Sequence, residues 1–380
     1  MDFELSEEQK IFQTSVRKFF KAELLPIVDD IENANVFPSD IYKLCGKQGL
    51  IGINLPEKFG GSDADTLTCA ILIEEASRIN AGFGTTIWTG SMVTSQEIMA
   101  LGTEEQKEEH LNGVTSGDRI IAFSLTEPNA GSDTAGIRTS AKKEGDYYIV
   151  NGSKTFITNG TVADIHLVVA YTDKTKGYKG ADMFIVDAGL PGVTVTKRLD
   201  KLGWHSSETV EIAYEDVRVP ASAKLGSNGL GGALDLVNFG RIMMATSAVG
   251  LAHTAFEACL KYTQEREAFG RPISGFQVVK HSLAKMKMQI ETARLVVRHA
   301  CWRRDNGLSH RKESSYAKYH CGEMVKDVTS KSLQLFGGYG FMNEFPISRY
   351  FRDAQVYTIA DGMSNIQLEV IAREIGLGKS

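Results

Sequence analysis

Hydrophobic and polar positions follow three different patterns along the chain. Up to about residue 120, apolar side chains recur at helical spacing, and Ser6 followed by Gln9 has the spacing of a capping box that opens the first helix. From about 121 to 225, short apolar runs alternate with polar residues between Gly, Asn and Asp clusters, which predicts short antiparallel strands. From about 230 onward, long segments without proline return to helical spacing.

These patterns predict a mainly α protein with a central β-domain. We expect an N-terminal helical domain over 1–120, a middle β-domain over 121–228, and a C-terminal helical bundle over 229–380 that carries its last helix at roughly 364–376. The glycine-rich SNGLGGAL is expected to be the linker before the bundle. Runs of one element class followed by runs of another favour separate domains over an alternating α/β sheet.

Charge and composition then exclude several classes. The net charge of −5 and the absence of a basic tract argue against a nucleic-acid partner. No run of 18 apolar residues and no basic–apolar leader occurs, so neither a membrane span nor a secretory signal is expected. The five cysteines form no CxxC and the histidines show no metal-ligand spacing, which predicts no metal, no disulfide framework and a cytoplasmic location.

Cofactor motifs of other folds are missing from the sequence. There is no GxGxxG opening a helix after a first strand and no GxxxxGK[ST], so a Rossmann dinucleotide site and a P-loop are not expected. GxSxG is absent too, which argues against a nucleophile elbow.

Two motifs in the β region could bind a planar ring or a phosphate. FSLTEPNAGSD, Phe123–Asp133, is a loop that offers backbone N–H groups and three hydroxyls, those of Ser124, Thr126 and Ser132. In KTFITNG, Lys154–Gly160, Phe156 could stack on a ring while Thr158 bonds its edge. Taken alone, the first motif could equally well be an ordinary hairpin loop. The second is better explained as a strand with a phenylalanine in the core.

Two further motifs lie in the C-terminal third. REAFGRPISGFQ, Arg266–Gln277, pairs a cationic side chain with a tight turn, and the planar fork of Arg266 suits a diphosphate. A solvated helix end is the simpler alternative. The stretch Gln334–Asp353 contains Gly337, Gly338 and Gly340, which allow another backbone or a ligand to approach closely.

Together, the four motifs resemble the acyl-CoA dehydrogenase family over essentially all 380 residues. SLTEPNAGSDTAG is similar to the first family signature and departs only at Ser124, where Gly, Ala or Cys is usual. Gln334–Asp353 fits the second signature at every fixed position, and LPEKFGG, KTFITNG, REAFG and FRDA occur in the family's order. The resemblance implies a helical domain, a β-barrel-like domain and a four-helix bundle. It also implies non-covalent FAD, a homotetramer and an electron-transferring flavoprotein as partner.

The resemblance also assigns site residues. One side of the flavin would be lined by Phe123, Leu125, Thr126 and Ser132. Phe156 and Thr158 would lie on its other side, and Met363 and Asn365, which follow Asp361 closely in the sequence, would also bind the cofactor. The FAD of a neighbouring subunit would be reached by Arg266, Phe269, Gln277, Gln334 and Gly338. The acyl-CoA would contact Ser132, Asn238, Arg241, Ala360 and Gly362.

The implied reaction is an α,β-dehydrogenation of an acyl-CoA, in which a carboxylate removes the α-proton and the β-hydrogen leaves as hydride to flavin N5. Family members carry a glutamate base in a motif like YEGTS, and the aligned stretch TIADGMSN places Asp361 there. A family branch puts the glutamate one residue before Arg241, where this chain has Gly240. The shorter acid and Ala360, in place of an aromatic residue, indicate room for a branched or alicyclic acyl group such as cyclohexane-1-carboxyl-CoA.

Several alternatives stay open on the sequence. Asp361 could be a loop acid that caps the next helix. The enzyme could act on short or medium linear acyl groups, or work as an enoyl-CoA reductase. Nitroalkane oxidase, a relative with aspartate at this position, is a further possibility. A lyase-like relative or a non-catalytic flavoprotein is the remaining one.

Overall fold

The computed structural model describes residues 4–226 and 229–378, without the side chains of residues 178 and 229–236. Seven helices form the N-terminal part: α1 (Glu7–Glu23), α2 (Val28–Ala34), α3 (Ser39–Lys47), α4 (Thr66–Ile79), α5 (Ala81–Ile87), α6 (Thr94–Leu101) and α7 (Glu104–Thr115). The predicted capping box opens α1, because the Ser6 hydroxyl accepts from the Gln9 amide at 3.2 Å while the Gln9 side chain accepts from the Ser6 amide. A π-helical turn, Trp88–Val93, joins α5 to α6.

The middle part is a sheet of eight strands: β1 (Ile121–Ser124), β2 (Ser140–Glu144), β3 (Tyr147–Thr158), β4 (Ile165–Tyr171), β5 (Ala181–Asp187), β6 (Val193–Arg198), β7 (Thr209–Pro220) and β8 (Lys224–Leu225). Their order is β6-β7-β3-β2-β4-β5-β8, and β1 lies beside β4. Most neighbouring strands pair antiparallel, as predicted, but β1 runs parallel to β4, and β2 pairs with β4 in parallel at Ser140 and Tyr171. β4 is buried along its whole length, as a strand covered on both faces should be.

The C-terminal part begins with the 37-residue helix α8 (Gly229–Glu265). The short strands β9 (Glu267–Ala268) and β10 (Arg271–Pro272) follow, and then α9 (Gln277–Asp305), α10 (Arg311–Leu335), α11 (Pro346–Ala354) and α12 (Ser364–Glu374). The predicted linker SNGLGGAL starts at residues 227 and 228, outside the described residues, and from Gly229 on it is helical. Cooperative propagation along a long helix outweighs the low helix propensity of its glycines.

The helical domains pack closely against each other. Gly250 lets α8 approach α4, since a Cβ at this glycine would lie 2.5 Å from the Glu74 carbonyl oxygen. Within the described ranges, every helix is too short or too polar to cross a bilayer. All five cysteines are buried and free.

A buried polar network joins all three parts at the loop between β6 and β7. From this loop, the Ser206 hydroxyl donates to Asn80 at 2.5 Å, and the Asn80 amide donates to Glu32 at 2.7 Å. The Trp204 amide donates to the Asp353 carboxylate on α11 at 2.7 Å. The Trp204 ring lies edge-on to Tyr357, with centroids 5.3 Å apart. The loop therefore fixes the segment that leads to Asp361.

Asp353 is nearly fully buried in this network. Burial is the main reason that the pKa of its carboxyl is raised, and the nearby Glu32 carboxylate raises it further. The Trp204 amide and the guanidinium groups of Arg349 and Arg352 oppose this shift only partly. A carboxyl whose pKa is raised by folding stabilises the folded state while it is protonated. That contribution is lost as the pH rises through the raised pKa.

Asp353→Asn tests this linkage. The amide keeps an oxygen that can accept from the Trp204 amide, but it does not ionise. The stability of the wild type relative to Asp353→Asn should therefore fall as the pH rises from about 4 toward neutrality. Thermal unfolding of both proteins across this range measures the difference. A constant offset in Tm would show that Asp353 does not titrate there.

Candidate active site

Asp361 lies in a strained loop, which we call the base loop and define as residues 360–363. Both Asp361 and Gly362 have left-handed backbone conformations, with φ of 54° and 81°. Aspartate tolerates this region better than most residues, and the φ of 81° favours glycine at 362, where a Cβ would also crowd Gln367 Nε2 at 2.7 Å. The buried Gln367 amide donates to the Gly362 carbonyl at 2.8 Å, so α12 holds the loop.

Asp361 does not cap α12. The N-cap residue of that helix is Met363, and no side chain accepts there from the first amides. Asp361 Oδ2 is fully buried and has no hydrogen-bond partner among the described residues. The helix-cap alternative was therefore wrong, and a buried oxygen without a partner needs another explanation.

One turn of α8 faces the Asp361 carboxylate. A Cβ at Gly240 would lie 3.5 Å from Asp361 Oδ2 and 3.7 Å from Trp88 Cζ3. The position expected for an alternative base thus lies directly against Asp361. Next to it, Arg241 donates to Asn238 Oδ1 at 2.9 Å. Asn238, Gly240 and Arg241 therefore lie on one turn of α8 beside the base loop, and we call the region between this turn and the base loop the pocket.

Burial and nearby positive charges shift the pKa of Asp361 in opposite directions. Burial raises the pKa of Asp361, while the positive charges of Arg241 and Lys318 pull it down. Burial also lowers the pKa of Arg241. It lowers the pKa of Lys318 to about 8, against the attraction of Asp361. The net effect on Asp361 is a raised pKa, which suits a base that must hold a proton during turnover.

The sequence analysis did not identify Lys318, Gln367 or Trp88. Lys318 could have been noticed, because it lies on α10 between Ala317 and Cys321, on the face that becomes the core. A lysine at such a position is rarely fully buried without a function or a partner. Gln367 and Trp88 gave no comparable signal, since a glutamine and a tryptophan in helices have many ordinary explanations.

The first two motifs come together on β3. The Thr155 amide donates to the Thr126 carbonyl at 2.9 Å, and Lys154 Nζ donates to the Leu125 carbonyl at 2.8 Å. Lys154 also forms a buried ion pair with Glu127 at 2.9 Å. The Glu127 carboxylate in turn accepts from two backbone amides of the following segment and from one hydroxyl, those of Arg138 and Thr139. The loop after β1 is thus fixed to the strand that carries Phe156 and Thr158.

Phe156 is not a core phenylalanine, so that alternative was wrong. Its side chain is 67% exposed and its φ is 59°, at a register irregularity of β3 between Lys154 and Ile157. A non-glycine residue in this conformation with an exposed ring is typical of a functional position. Thr158, two residues on, is half-buried at the end of the strand.

The end of β3 meets the base loop through the π-helical turn. The Asn159 side-chain amide donates to the Thr89 hydroxyl at 3.1 Å, and the neighbouring Trp88 faces Gly240. All three parts of the chain therefore contribute to one region. π-Helical turns occur often at functional sites because they rearrange the side chains of an otherwise regular helix.

Other predicted residues are placed differently. Ser124 was expected to offer its hydroxyl to a ligand, but it is fully buried and hydrogen-bonded to the Tyr214 hydroxyl at 3.0 Å. Phe123, Leu125 and Thr126 are half-buried beside β3. Ala360 is half-buried too, and three residues are exposed: Ser132, Met363 and Asn365.

Three of the remaining five predicted residues line a cavity of about 600 Å³. Arg266, Gln334 and Gly338 line it. Phe269 is 94% exposed in the β9–β10 turn, and Gln277 begins α9. A Cβ at Gly338 would meet nothing within 4 Å, which leaves open space there, whereas Gly340 is needed because a Cβ there would lie 2.3 Å from the Leu333 carbonyl.

Three family models match the chain. They describe the acyl-CoA dehydrogenase N-terminal domain over residues 6–118, the middle domain over 122–217 and the C-terminal domain over 227–376. Together they span most of the sequence, in the order of the three structural parts.

Relatives of similar length carry related names. The chain is 40% identical to the probable acyl-CoA dehydrogenase YngJ of Bacillus subtilis, with 99% of this chain and 100% of YngJ aligned. It is 39% identical to a short-chain-specific acyl-CoA dehydrogenase of Clostridium acetobutylicum, over 99% and 100%. It is also 36% identical to subunit CarC of the caffeyl-CoA reductase–Etf complex of Acetobacterium woodii, over 97% and 98%.

Solved structures share the fold. Butyryl-CoA dehydrogenase from Megasphaera elsdenii superposes with a TM-score of 0.96 at 38% identity, covering 99% of this chain and all of the other. A chain from work on the electron transferring flavoprotein of Acidaminococcus fermentans gives a TM-score of 0.97 at 37% identity, over 99% and 100%. A glutaryl-CoA dehydrogenase from Mycobacterium smegmatis in complex with FADH2 gives 0.93 at 29% identity, over 98% and 95%.

The Lys154–Glu127 pair yields a test of the β-domain architecture. Lys154→Met leaves the Glu127 carboxylate buried without its ion-pair partner, which should destabilise the protein by about 3–5 kcal/mol. Chemical denaturation measures this loss. The double variant Lys154→Met/Glu127→Gln removes both charges and should recover part of the stability. Equal stability of the single and double variants would contradict the assignment.

Proposed function

The chain belongs to the acyl-CoA dehydrogenase family, and we propose that Asp361 is the base with which it exchanges the α-proton of an acyl-CoA thioester. The observation that carries this proposal is the buried Asp361 Oδ2, which has no partner among the described residues and faces the space left by Gly240. A carboxylate without an internal hydrogen bond is free to accept a proton from a bound ligand.

The residues near β3 fit a flavin. An exposed, strained aromatic ring at Phe156 offers a stacking face, and Thr158 offers a hydroxyl beside it. The loop carrying Leu125 and Thr126 is held against the same strand. Bound FAD would supply the acceptor for the hydride that leaves the β-carbon. We propose that these residues hold its ring system, together with Phe123, Ser132, Met363 and Asn365.

The cavity lined by Arg266, Gln334 and Gly338 fits the phosphate end of a dinucleotide. Arg266 contributes a guanidinium, and the open space at Gly338 leaves the backbone accessible. Phe269 is almost fully exposed, as expected of a large apolar side chain that another subunit covers. We propose that Gln277 and Gln334 act here with them, in a homotetramer whose subunits complete one another's FAD sites.

Asp361 alone would not suffice for proton transfer. The α-proton of a thioester is too weakly acidic for a carboxylate unless hydrogen bonds to the thioester carbonyl stabilise the developing negative charge. The raised pKa of Asp361 reduces the difference between the pKa of the base and that of the substrate α-carbon, because a buried carboxylate accepts a proton more readily than a solvated one. The pocket wall of Asn238, Arg241 and Gly362 would position the thioester against it.

Direction and partner are further parts of the proposal. The named relatives include dehydrogenases and a reductase subunit, so the same site could run either way. We propose an electron-transferring flavoprotein as the redox partner, supported by the relatives whose names include such proteins. A bacterial cytoplasm suits an enzyme with free buried thiols.

The identity of the acyl group is the most detailed part of the proposal. The relatives named above include a short-chain-specific acyl-CoA dehydrogenase and a butyryl-CoA dehydrogenase, and none of their names mentions an alicyclic acyl group, so the comparisons do not support that expectation. Local geometry favours it as a second candidate, because Gly240 carries no side chain and Ala360 carries only a methyl group beside the base. We propose short linear acyl-CoA thioesters as the first candidate substrates and branched or alicyclic ones as the second.

Asp361→Asn tests the base. The amide preserves the shape of the side chain but cannot accept the α-proton, so anaerobic flavin reduction by a substrate acyl-CoA should slow by at least about 10²-fold. Stopped-flow absorbance of the flavin gives the rate. Near-normal reduction by Asp361→Asn would exclude Asp361 as the base.

Parallel assays separate the alternatives. A dehydrogenase passes electrons to an artificial acceptor, an oxidase of the nitroalkane type produces peroxide with oxygen, and a non-catalytic flavoprotein does neither. A panel of linear, branched and alicyclic acyl-CoA thioesters identifies the preferred chain.

Ala360→Tyr tests the pocket. An aromatic side chain next to Asp361 would fill the space beside the α-carbon, so bulky acyl-CoA substrates should lose about tenfold or more in kcat/KM relative to linear ones. Steady-state kinetics on matched substrate pairs measure the ratio. Equal losses for both classes would contradict the argument for a wide pocket.

A further inference from the structure

Helix α10 packs unusually closely against the segment that carries the base loop. Gly322 makes this possible, since a Cβ there would lie 2.8 Å from the Tyr357 carbonyl oxygen. On either side of the contact, Glu323 accepts from the Ser364 hydroxyl at 2.7 Å, and Lys326 Nζ lies 3.5 Å from the Thr358 hydroxyl. The base loop is therefore bracketed by contacts to α10 before and after it.

Lys318 lies one helical turn before Gly322 on the same face of α10. Its side chain is 1% exposed, and its ammonium has no hydrogen-bond partner among the described residues. The contrast with Lys154 is sharp, because that equally buried lysine has both a carboxylate and a carbonyl as partners. A buried ammonium without partners destabilises a protein, so its presence requires a compensating reason.

The charges near Lys318 supply that reason. The groups whose charges act on it are the Asp361 carboxylate, the Arg241 guanidinium and the Glu323 carboxylate. Of these, Glu323 already accepts from Ser364, and Arg241 already donates to Asn238. Asp361 Oδ2, Arg241 Nε and Lys318 Nζ are all buried without partners among the described residues. Three charged groups that act on one another thus each have a buried atom without a partner in the described structure.

We propose that Lys318 is a positioning residue that keeps the Asp361 carboxylate ionised and aimed at the substrate while the pocket is dry. The inference rests on the proposed role of Asp361 as base. An isolated carboxylate in a water-poor pocket becomes protonated, and a protonated acid cannot accept the α-proton. The positive charge of Lys318 on α10 opposes protonation of Asp361, and no hydrogen bond within the described residues occupies Asp361 Oδ2.

Lys318 and Arg241 are not equivalent in this role. A guanidinium keeps its charge at every accessible pH, whereas an ammonium can lose its proton. The pKa of Lys318 is lowered to about 8 by burial, so its charge disappears on the alkaline side of neutrality. The positive charge of Lys318 therefore depends on pH, whereas the positive charge of Arg241 is constant.

Neutral variants of Lys318 test the proposal. Lys318→Met removes the charge and keeps the length of an apolar side chain, and Lys318→Gln is a second neutral variant should Met fold poorly. In both, the acidic limb of the pH profile for anaerobic flavin reduction should move up by about one pH unit or more. At pH values below the limb, the rate should fall about tenfold, and it should recover as the pH rises.

Two controls bracket the result. Lys318→Arg keeps a positive charge and should retain the wild-type position of the acidic limb. Lys331→Met removes a lysine from the same helix, one that pairs with Asp327 on α10, and it should leave the profile unchanged. Loss of a buried, unpartnered charge should not lower the Tm of Lys318→Met, so an activity loss without a stability loss separates positioning from a structural role.

A second readout does not depend on turnover. Infrared difference spectra between the wild type and Asp361→Asn report the protonated carboxyl of Asp361 during a pH titration. The same pair of spectra in the Lys318→Met background should show that carboxyl protonated to a higher pH. An unchanged titration, or an unchanged acidic limb in active Lys318→Met enzyme, would overturn the proposal. If no acyl-CoA reduces the wild-type flavin, the proposed function fails, and the infrared titration still decides the role of Lys318.

Discussion

The region around Asp361 depends on one constraint: a carboxyl group with one oxygen shielded from water lies under the influence of two positive charges. Removing a carboxylate from water favours its neutral form, and a nearby cation favours the charged form. Gly240 places no side chain against the carboxylate, and the Gln367 side-chain amide holds the base loop by donating to the Gly362 carbonyl. Arg241 and Lys318 act on it from two different helices.

The same constraint explains why three parts of the chain must meet. The pocket wall comes from α8, the lysine from α10, and Trp88 from the N-terminal part. The loop between β6 and β7 joins these parts through Trp204, whose amide is bound by Asp353 and whose ring packs on Tyr357. Because Tyr357 precedes Asp361 by one turn, a change in the interdomain network reaches the base loop over a short distance.

The sequence was informative wherever a local rule decides the structure. The capping box at Ser6 and the order of helical and strand regions follow from side-chain spacing and were confirmed. The parallel pairing of β1 with β4 was missed because it joins residues that lie far apart along the chain, which no local pattern records. The helical conformation of Gly229 and the residues after it was missed because glycines favour a linker locally.

The site shows the same division. Asp361 could be located because two long motifs fix the register of the chain around it, whereas its isolation from hydrogen-bond partners among the described residues could not be read from a one-dimensional pattern. The exposed ring of Phe156 depends on an irregularity between two strands, and strand pairing is a property of the folded sheet. The proposed role of Lys318 depends on how α10 packs against the segment around the base loop, and this packing cannot be predicted from the sequence of α10 alone.

The π-helical turn at Trp88–Val93 has a consequence for how this site can vary. A π-helical turn holds one more residue than the α-helical turn it replaces, and its wider turn absorbs that residue locally between α5 and α6. Removing a single residue from it would restore a regular helix and reorient the side chains within the turn, including Trp88, which faces Gly240. The turn therefore confines the effect of a one-residue insertion or deletion to the wall beside Gly240, while the helices on either side keep their places in the core.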